Sequence, residues 1–133
     1  MLSFFSRKPL SSSILGKKGE QLAARHLRSK GYKILGQNYT NSKGKRLGEI
    51  DIIAFKEGFL VFVEVKTRFS LDAENCFPEE NIHPSKLYKL SRIAEQFLKS
   101  RRLDYPYRFD AISITIHPET QEMSLRHLEH IFL

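Results

Sequence analysis

Asp51, Glu64 and Lys66 stand inside two short apolar runs, Leu47–Phe55 and Leu60–Lys66, whose Ile, Val and Phe content suits strands covered on both faces. Charged groups in such strands are costly unless something compensates them. The intervening Lys56-Glu57-Gly58-Phe59 predicts a tight hairpin in which Lys56 pairs with Phe59. Carried along both strands, that register sets Asp51 opposite Glu64 and Glu49 opposite Lys66. Side-chain alternation puts Glu64 and Lys66 on one face beside Phe62, and groups Asp51 with Glu49 and Ile53. The expected result is one patch holding two opposed carboxylates and an ammonium.

Two carboxylates about 5 Å apart repel by roughly 3–4 kcal/mol at an effective dielectric near 20. Three compensations are open: protonation of one acid, neutralisation by Lys66 or Arg68, or a bridging divalent cation. With neither His nor Cys in these runs, the oxygen donors suit Mg²⁺ or Mn²⁺ rather than zinc. A cation so held can polarise a phosphodiester and acidify an attacking water. Lys66 can then orient that water or stabilise the transition state. The plain alternative is a hairpin whose acids are paired with Lys66 and Arg68.

The surrounding elements can be read from periodicity. Apolar Leu15, Leu22, Ala23 and Leu27 follow Ser11-Ser12-Ser13 at helical spacing, and Gly31 marks a stop, which predicts a helix over about residues 13–30. On spacing alone its Glu20 reads as a solvated surface acid. Residues 32–39 read as a strand, followed by a polar loop over 40–46 whose Lys43, Lys45 and Arg46 can touch phosphates. Residues 67–83, with Pro78 and no periodicity, read as a long loop. Pro84 and Ser85 open a second helix with Leu87, Leu90, Ala94, Phe97 and Leu98 as its buried stripe, and Lys86 and Lys89 near its start. Strands over about 109–116 and 122–128 complete an α-β-β-β-α-β-β order, an α/β sandwich built on one central mixed sheet.

Composition narrows the function classes. The 133 residues suit one domain, over residues 13–133, preceded by a mobile basic arm over 1–12. A hydrophobic content of 41% supports a packed core and argues against disorder. With 22 basic and 15 acidic residues the net charge is +7, which favours a polyanionic partner such as nucleic acid. The single Cys76 excludes an internal disulfide and fits a reducing cytoplasm. No apolar run approaches a membrane span, and the first residues are too short in apolar content for a secretory signal.

A wider string carries a family resemblance. Gly48-Glu49-Ile50-Asp51-Ile52-Ile53-Ala54 followed by Val61-Phe62-Val63-Glu64-Val65-Lys66-Thr67-Arg68 closely resembles the YraN-like family of uncharacterised bacterial proteins. That family is related to Holliday-junction resolvases within the PD-(D/E)xK nuclease superfamily. Gly19-Glu20-Gln21-Leu22-Ala23 with Gly31-Tyr32, then Lys86 with Leu87 and Leu90, then Arg108-Phe109-Asp110, extend the likeness from about Gly16 to the C-terminus. The resemblance implies a restriction-endonuclease-like fold with Asp51 and Glu64 as metal ligands and Lys66 as the catalytic lysine. It further implies the Val65 carbonyl as a ligand and Glu20 as the first-helix acid that completes the site. The superfamily's Pro before the first Asp is Ile50 here, and residues 1–12 have no counterpart.

Two functions of different class follow. One is a Mg²⁺- or Mn²⁺-dependent endonuclease cutting DNA, branched DNA included, as a homodimer whose two-fold symmetry matches two symmetric cuts. The other is a nucleic-acid-binding protein that keeps the fold without efficient catalysis. In either, Lys43, Lys45, Arg46, Arg68, Lys86 and Lys89 are the candidate phosphate contacts. A protein-interaction scaffold with salt-bridged acids is the remaining possibility.

Overall fold

A computed structural model describes residues 12–41, 44–69 and 84–131. Its elements are α1 (Ser12–Ser29), β1 (Lys33–Asn41), β2 (Gly44–Lys56), β3 (Phe59–Phe69), α2 (Pro84–Arg101), β4 (Tyr107–Ile116) and β5 (Met123–Leu128), the order read from the sequence. The strands form one sheet in the order β1-β2-β3-β4-β5. Neighbours are antiparallel except β3 and β4, which are parallel, so α2 must carry the chain back across the sheet between them.

Local signals behave as their chemistry requires. Glu57 and Gly58 both take positive φ (52° and 83°), the combination a two-residue hairpin loop demands, and Lys56 pairs with Phe59 as expected. At the end of α1, Gly31 sits at φ 91°; its N–H donates to Arg28 O (3.1 Å), while Tyr32 N–H donates to Leu27 O (3.0 Å). That pair of bonds is the Schellman stop, which a residue without Cβ adopts at no steric cost.

The sheet is covered on both faces. Ala23, Ala24 and Leu27 of α1 pack on Ile52, Ala54, Val61, Val63, Ile112 and Ile114. Leu90, Ile93, Ala94 and Phe97 of α2 pack on Ile50, Ile53, Leu60, Phe62 and Phe109. In β3 the alternation is regular: Val61 and Val63 face α1, while Leu60 and Phe62 face α2. Phe97 is fully buried and meets the rings of Tyr39 and Phe62 at 5.3 and 6.0 Å.

Two expectations change. Residues 40–46 are not a simple loop: β1 continues to Asn41 and β2 begins at Gly44, with Asn41 paired to Gly44 across a register shift. Backbone pairing tolerates polar side chains at a sheet end, so the polar run gives way to strand. The anticipated loop over 67–83 likewise starts later, because β3 runs through Phe69. The rest of that loop, with Cys76, lies outside the described residues, as do the arm over 1–11 and Lys43. Among the described residues, no helix is long and apolar enough to cross a membrane.

Truncating Phe97 to Ala should cost about 3–5 kcal/mol, as for other buried aromatics. Tyr88→Ala on the outer side of the same helix, where Tyr88 is 60% exposed, should stay within about 0.5 kcal/mol. Urea unfolding monitored by circular dichroism measures both.

Candidate metal centre

The expected alternation of β2 breaks at Asp51. Ile50 and Ile53 pack on the α2 side, yet Ile52 and Ala54 pack on the α1 side, so the strand changes phase between Ile50 and Ile52. Asp51 falls on the α1 side next to Ile52, not with Ile53 as strict alternation predicts. The neighbouring strand is irregular at the matching place. Gln37 pairs with Ile52 and Tyr39 with Ile50, while Asn38 between them takes φ 53°. Irregularities of this kind re-aim a side chain without ending the sheet.

The re-aimed carboxylate meets two others. Oxygens of Glu20, Glu49 and Asp51 all lie within 4.8 Å of one another. With its amide nitrogen turned toward the acids, Asn38 donates to Glu49 Oε1 and Glu20 Oε1, each at 3.0 Å. Asp51 Oδ2 accepts a hydrogen bond from the backbone N–H of Val65 at 2.8 Å, which ties β2 to β3 just beyond the Ile52–Val63 pair. Burial pushes the Asp51 carboxyl up to about 7; the Val65 N–H works against this rise, and Glu20, Glu64 and Glu49 add to it. Glu20 is also raised, first by burial and then by Glu49, against the lowering effect of Asn38 and Lys17.

Glu20 reaches the cluster because α1 lies unusually close to β3. A Cβ built on Gly19 would sit 1.7 Å from Thr67 Oγ1 and 2.9 Å from Thr67 Cβ. Rotating the threonine relieves only the first contact, so any side chain at position 19 must push the helix away. Gly16, one turn earlier, has nothing within 4 Å of such a Cβ.

The pair of opposed carboxylates expected in the hairpin is therefore reorganised. The hairpin register holds from Lys56–Phe59 to Ile52–Val63, but Glu64 follows Phe62 toward α2 and forms an ion pair with Lys86. Glu64 stays close enough to raise Asp51, without joining the set of mutually close carboxylates. Glu49 and Glu64 both line one small recess, together with Ile50, Phe62, Leu90 and Asp110. Lys66 is exposed, so the ammonium on the hairpin acid is Lys86 of α2 and not Lys66 or Arg68. The physical reason is the phase change at Asp51, which turns its carboxylate toward Glu20 and Glu49 while Glu64 pairs with Lys86.

Of the basic candidates, Lys86 is thus at the site, Arg68 is half-buried near the end of β3 and Lys89 is exposed on α2. Lys45 and Arg46 belong to β2. The residue overlooked as a candidate ligand is Glu49, although its two-residue spacing from Asp51 already marked a shared face. Asn38 had no sequence signal; only strand pairing brings it to the acids. The oxygen donor set suits a hard divalent cation, and Glu20, Glu49 and Asp51 could hold one.

Comparison with known proteins places these residues in context. Residues 19–114 match the family described as Uncharacterised protein family UPF0102. A UPF0102 protein of Flavobacterium psychrophilum is 42% identical over 89% of this chain and 92% of its own. One from Syntrophus aciditrophicus is 44% identical over 78% of each. Among solved structures, SfsA of Pyrococcus furiosus in complex with Ca²⁺ aligns at a TM-score of 0.37 and 12% identity, covering 91% of this chain and 64% of that one.

Two outcomes test the site. Gly19→Ala should weaken Mn²⁺ binding measured by calorimetry, because it displaces Glu20, while Gly16→Ala should leave binding intact and slightly stabilise the helix. Without divalent cations, Asp51 holds a proton in the native state that the unfolded chain loses, since its carboxyl rises from 3.8 to about 7. Its contribution is therefore full below pH 3.8 and declines as pH rises to about 7. Asp51→Asn should stabilise the fold in EDTA at pH 8 by up to about 4 kcal/mol, read as a higher thermal midpoint, and by much less at pH 4.

Proposed function

Because the chain belongs to the uncharacterised protein family UPF0102, we propose a function from the site itself. We infer a Mg²⁺- or Mn²⁺-dependent endonuclease hydrolysing phosphodiester bonds in DNA, with branched, Holliday-junction-like DNA among the substrates to test. The observation that carries this reading is the convergence of Glu20, Glu49 and Asp51 within 4.8 Å around a carboxyl pushed up to about 7. Three acids so close are unfavourable in isolation, and a divalent cation turns that cost into affinity.

Asp51, Glu20 and Glu49 would hold the cation, with Glu64 and the Val65 carbonyl as further oxygen donors. When bound, the cation supplies Lewis acidity to the phosphodiester and lowers the pKa of an attacking water. Asn38 orients Glu20 and Glu49 through its two donated bonds. Lys66, exposed beside the site, provides an ammonium for the approaching phosphate, and Lys86 is a second one once Glu64 turns from it. The net charge of +7 suits a polyanion, with Lys43, Lys45, Arg46, Arg68 and Lys89 as phosphate contacts. A homodimer in the cytoplasm would present two such sites to two strands.

One observation favours a second reading. Lys86 already neutralises Glu64, which suits a chain that binds nucleic acid through the same surface and cuts poorly. The discriminating experiment incubates the purified protein with junction, flap, duplex and single-stranded DNA in Mg²⁺ and in Mn²⁺. Cleavage of the junction that disappears in Asp51→Ala is the expected result. Salt-sensitive binding of all four without products selects the second reading. Cleavage that survives Asp51→Ala would trace to a contaminant.

A further inference from the structure

α1 and β5 meet at a second polar centre. Asp110 of β4 is fully buried. It accepts hydrogen bonds from Arg108 Nε (3.0 Å), Arg108 Nη2 (3.3 Å) and the His130 backbone N–H (3.1 Å), and pairs with His127 Nε2 at 2.8 Å. Arg108 also reaches the Tyr32 hydroxyl at 2.9 Å and Glu129 at 3.2 Å. None of these groups takes part in the candidate metal centre.

The carboxylate decides what His127 can do. With its Nε2–H committed to Asp110, the ring keeps a lone pair on Nδ1, and that atom faces His26 Nε2 at 3.4 Å. His26 sits in the last turn of α1, and the two rings meet edge to face at a centroid distance of 5.4 Å. In a tetrahedral site with metal–nitrogen bonds of about 2.0–2.1 Å, two imidazole nitrogens lie roughly 3.3–3.4 Å apart. The pair thus has the spacing of two ligands on one ion. A buried carboxylate on the opposite ring nitrogen is also the arrangement that orients metal-binding histidines and raises their basicity.

We propose that His26 Nε2 and His127 Nδ1 form a binding site for a late divalent transition-metal ion such as Zn²⁺, with Asp110 as the positioning carboxylate. Water completes the coordination, and His26 frees its Nε2 lone pair for the ion by carrying its ring proton on Nδ1. Imidazole donors separate this site chemically from the carboxylate cluster, which prefers hard cations. Its position makes it a clip between the end of α1, the helix that carries Glu20, and the edge strand β5. An ion that binds only the native state stabilises it by mass action.

The test uses the full chain in excess Mg²⁺, so that the carboxylates are already occupied. Calorimetry with Zn²⁺ and visible absorption with Co²⁺ should show one equivalent bound near micromolar concentration, and Zn²⁺ should raise the thermal midpoint. His127→Gln should weaken binding by at least about tenfold. His26→Phe, at a half-buried helix position where folding can be verified by circular dichroism, should do the same, while Asp51→Ala should bind Zn²⁺ as the unaltered chain does. No uptake by the unaltered chain, equal uptake by a folded His26→Phe chain, or loss of uptake in Asp51→Ala would each overturn the proposal.

Discussion

The carboxylate of Asp51, half-buried beside the two central strands and tied by its Oδ2 to the Val65 N–H, imposes conditions on everything around it. That single bond does not offset the burial, and three other acids stand near enough to oppose ionisation further, so the carboxyl is pushed up to about 7. A strand core built from Ile52, Ile53 and Ala54 on one side and Val61, Phe62 and Val63 on the other supplies the rigidity that holds such an unfavourable group in place. The surrounding packing stabilises the fold; the acid destabilises it locally. Strain of this sort, concentrated at one point in an otherwise consistent structure, is typical of functional sites.

A second buried aspartate shows that the fold can compensate such a charge when it needs to. Burial acts to raise Asp110 too, but His127, Arg108 and the His130 amide prevail, and its carboxyl is held below the ordinary range. Asp110 is thereby a satisfied anion that joins β4, β5 and the chain beyond. Among the described residues, the groups that shift Asp51 besides burial are one backbone donor and three other acids. Two aspartates of the same sheet thus have opposite electrostatic fates. The contrast separates a compensated carboxylate from an uncompensated one, which burial alone does not.

The third acid of the cluster depends on backbone approach. Gly19 lets α1 settle on β3 against Thr67, a contact closer than any side chain would allow, and this brings Glu20 across to the sheet. Asn38 then bridges Glu20 and Glu49 from an irregular position in β1. The site therefore needs contributions from α1, β1, β2 and β3, and Lys86 of α2 meets it from the other face through Glu64.

Much of this was legible in the amino-acid order, for local reasons. The Glu57-Gly58 turn, the Gly31 helix stop, the two amphipathic helices and the Ile- and Val-rich strands depend on neighbours in sequence, so the element order and the hairpin register follow from them. Asp51 was marked out by being an acid in an apolar run, and Glu20 by the family-like string around it. What needed tertiary structure was the grouping. Alternation paired Asp51 with Ile53 and set it against Glu64; a phase change shared by two strands turned it instead toward Glu20, Glu49 and Asn38. Lys86, distant in sequence, pairs with Glu64, where the plain alternative had offered Lys66 and Arg68. A bulge depends on how two strands and a helix fit together, which no local pattern encodes, and so the sequence determined which residues were available while packing decided which of them meet.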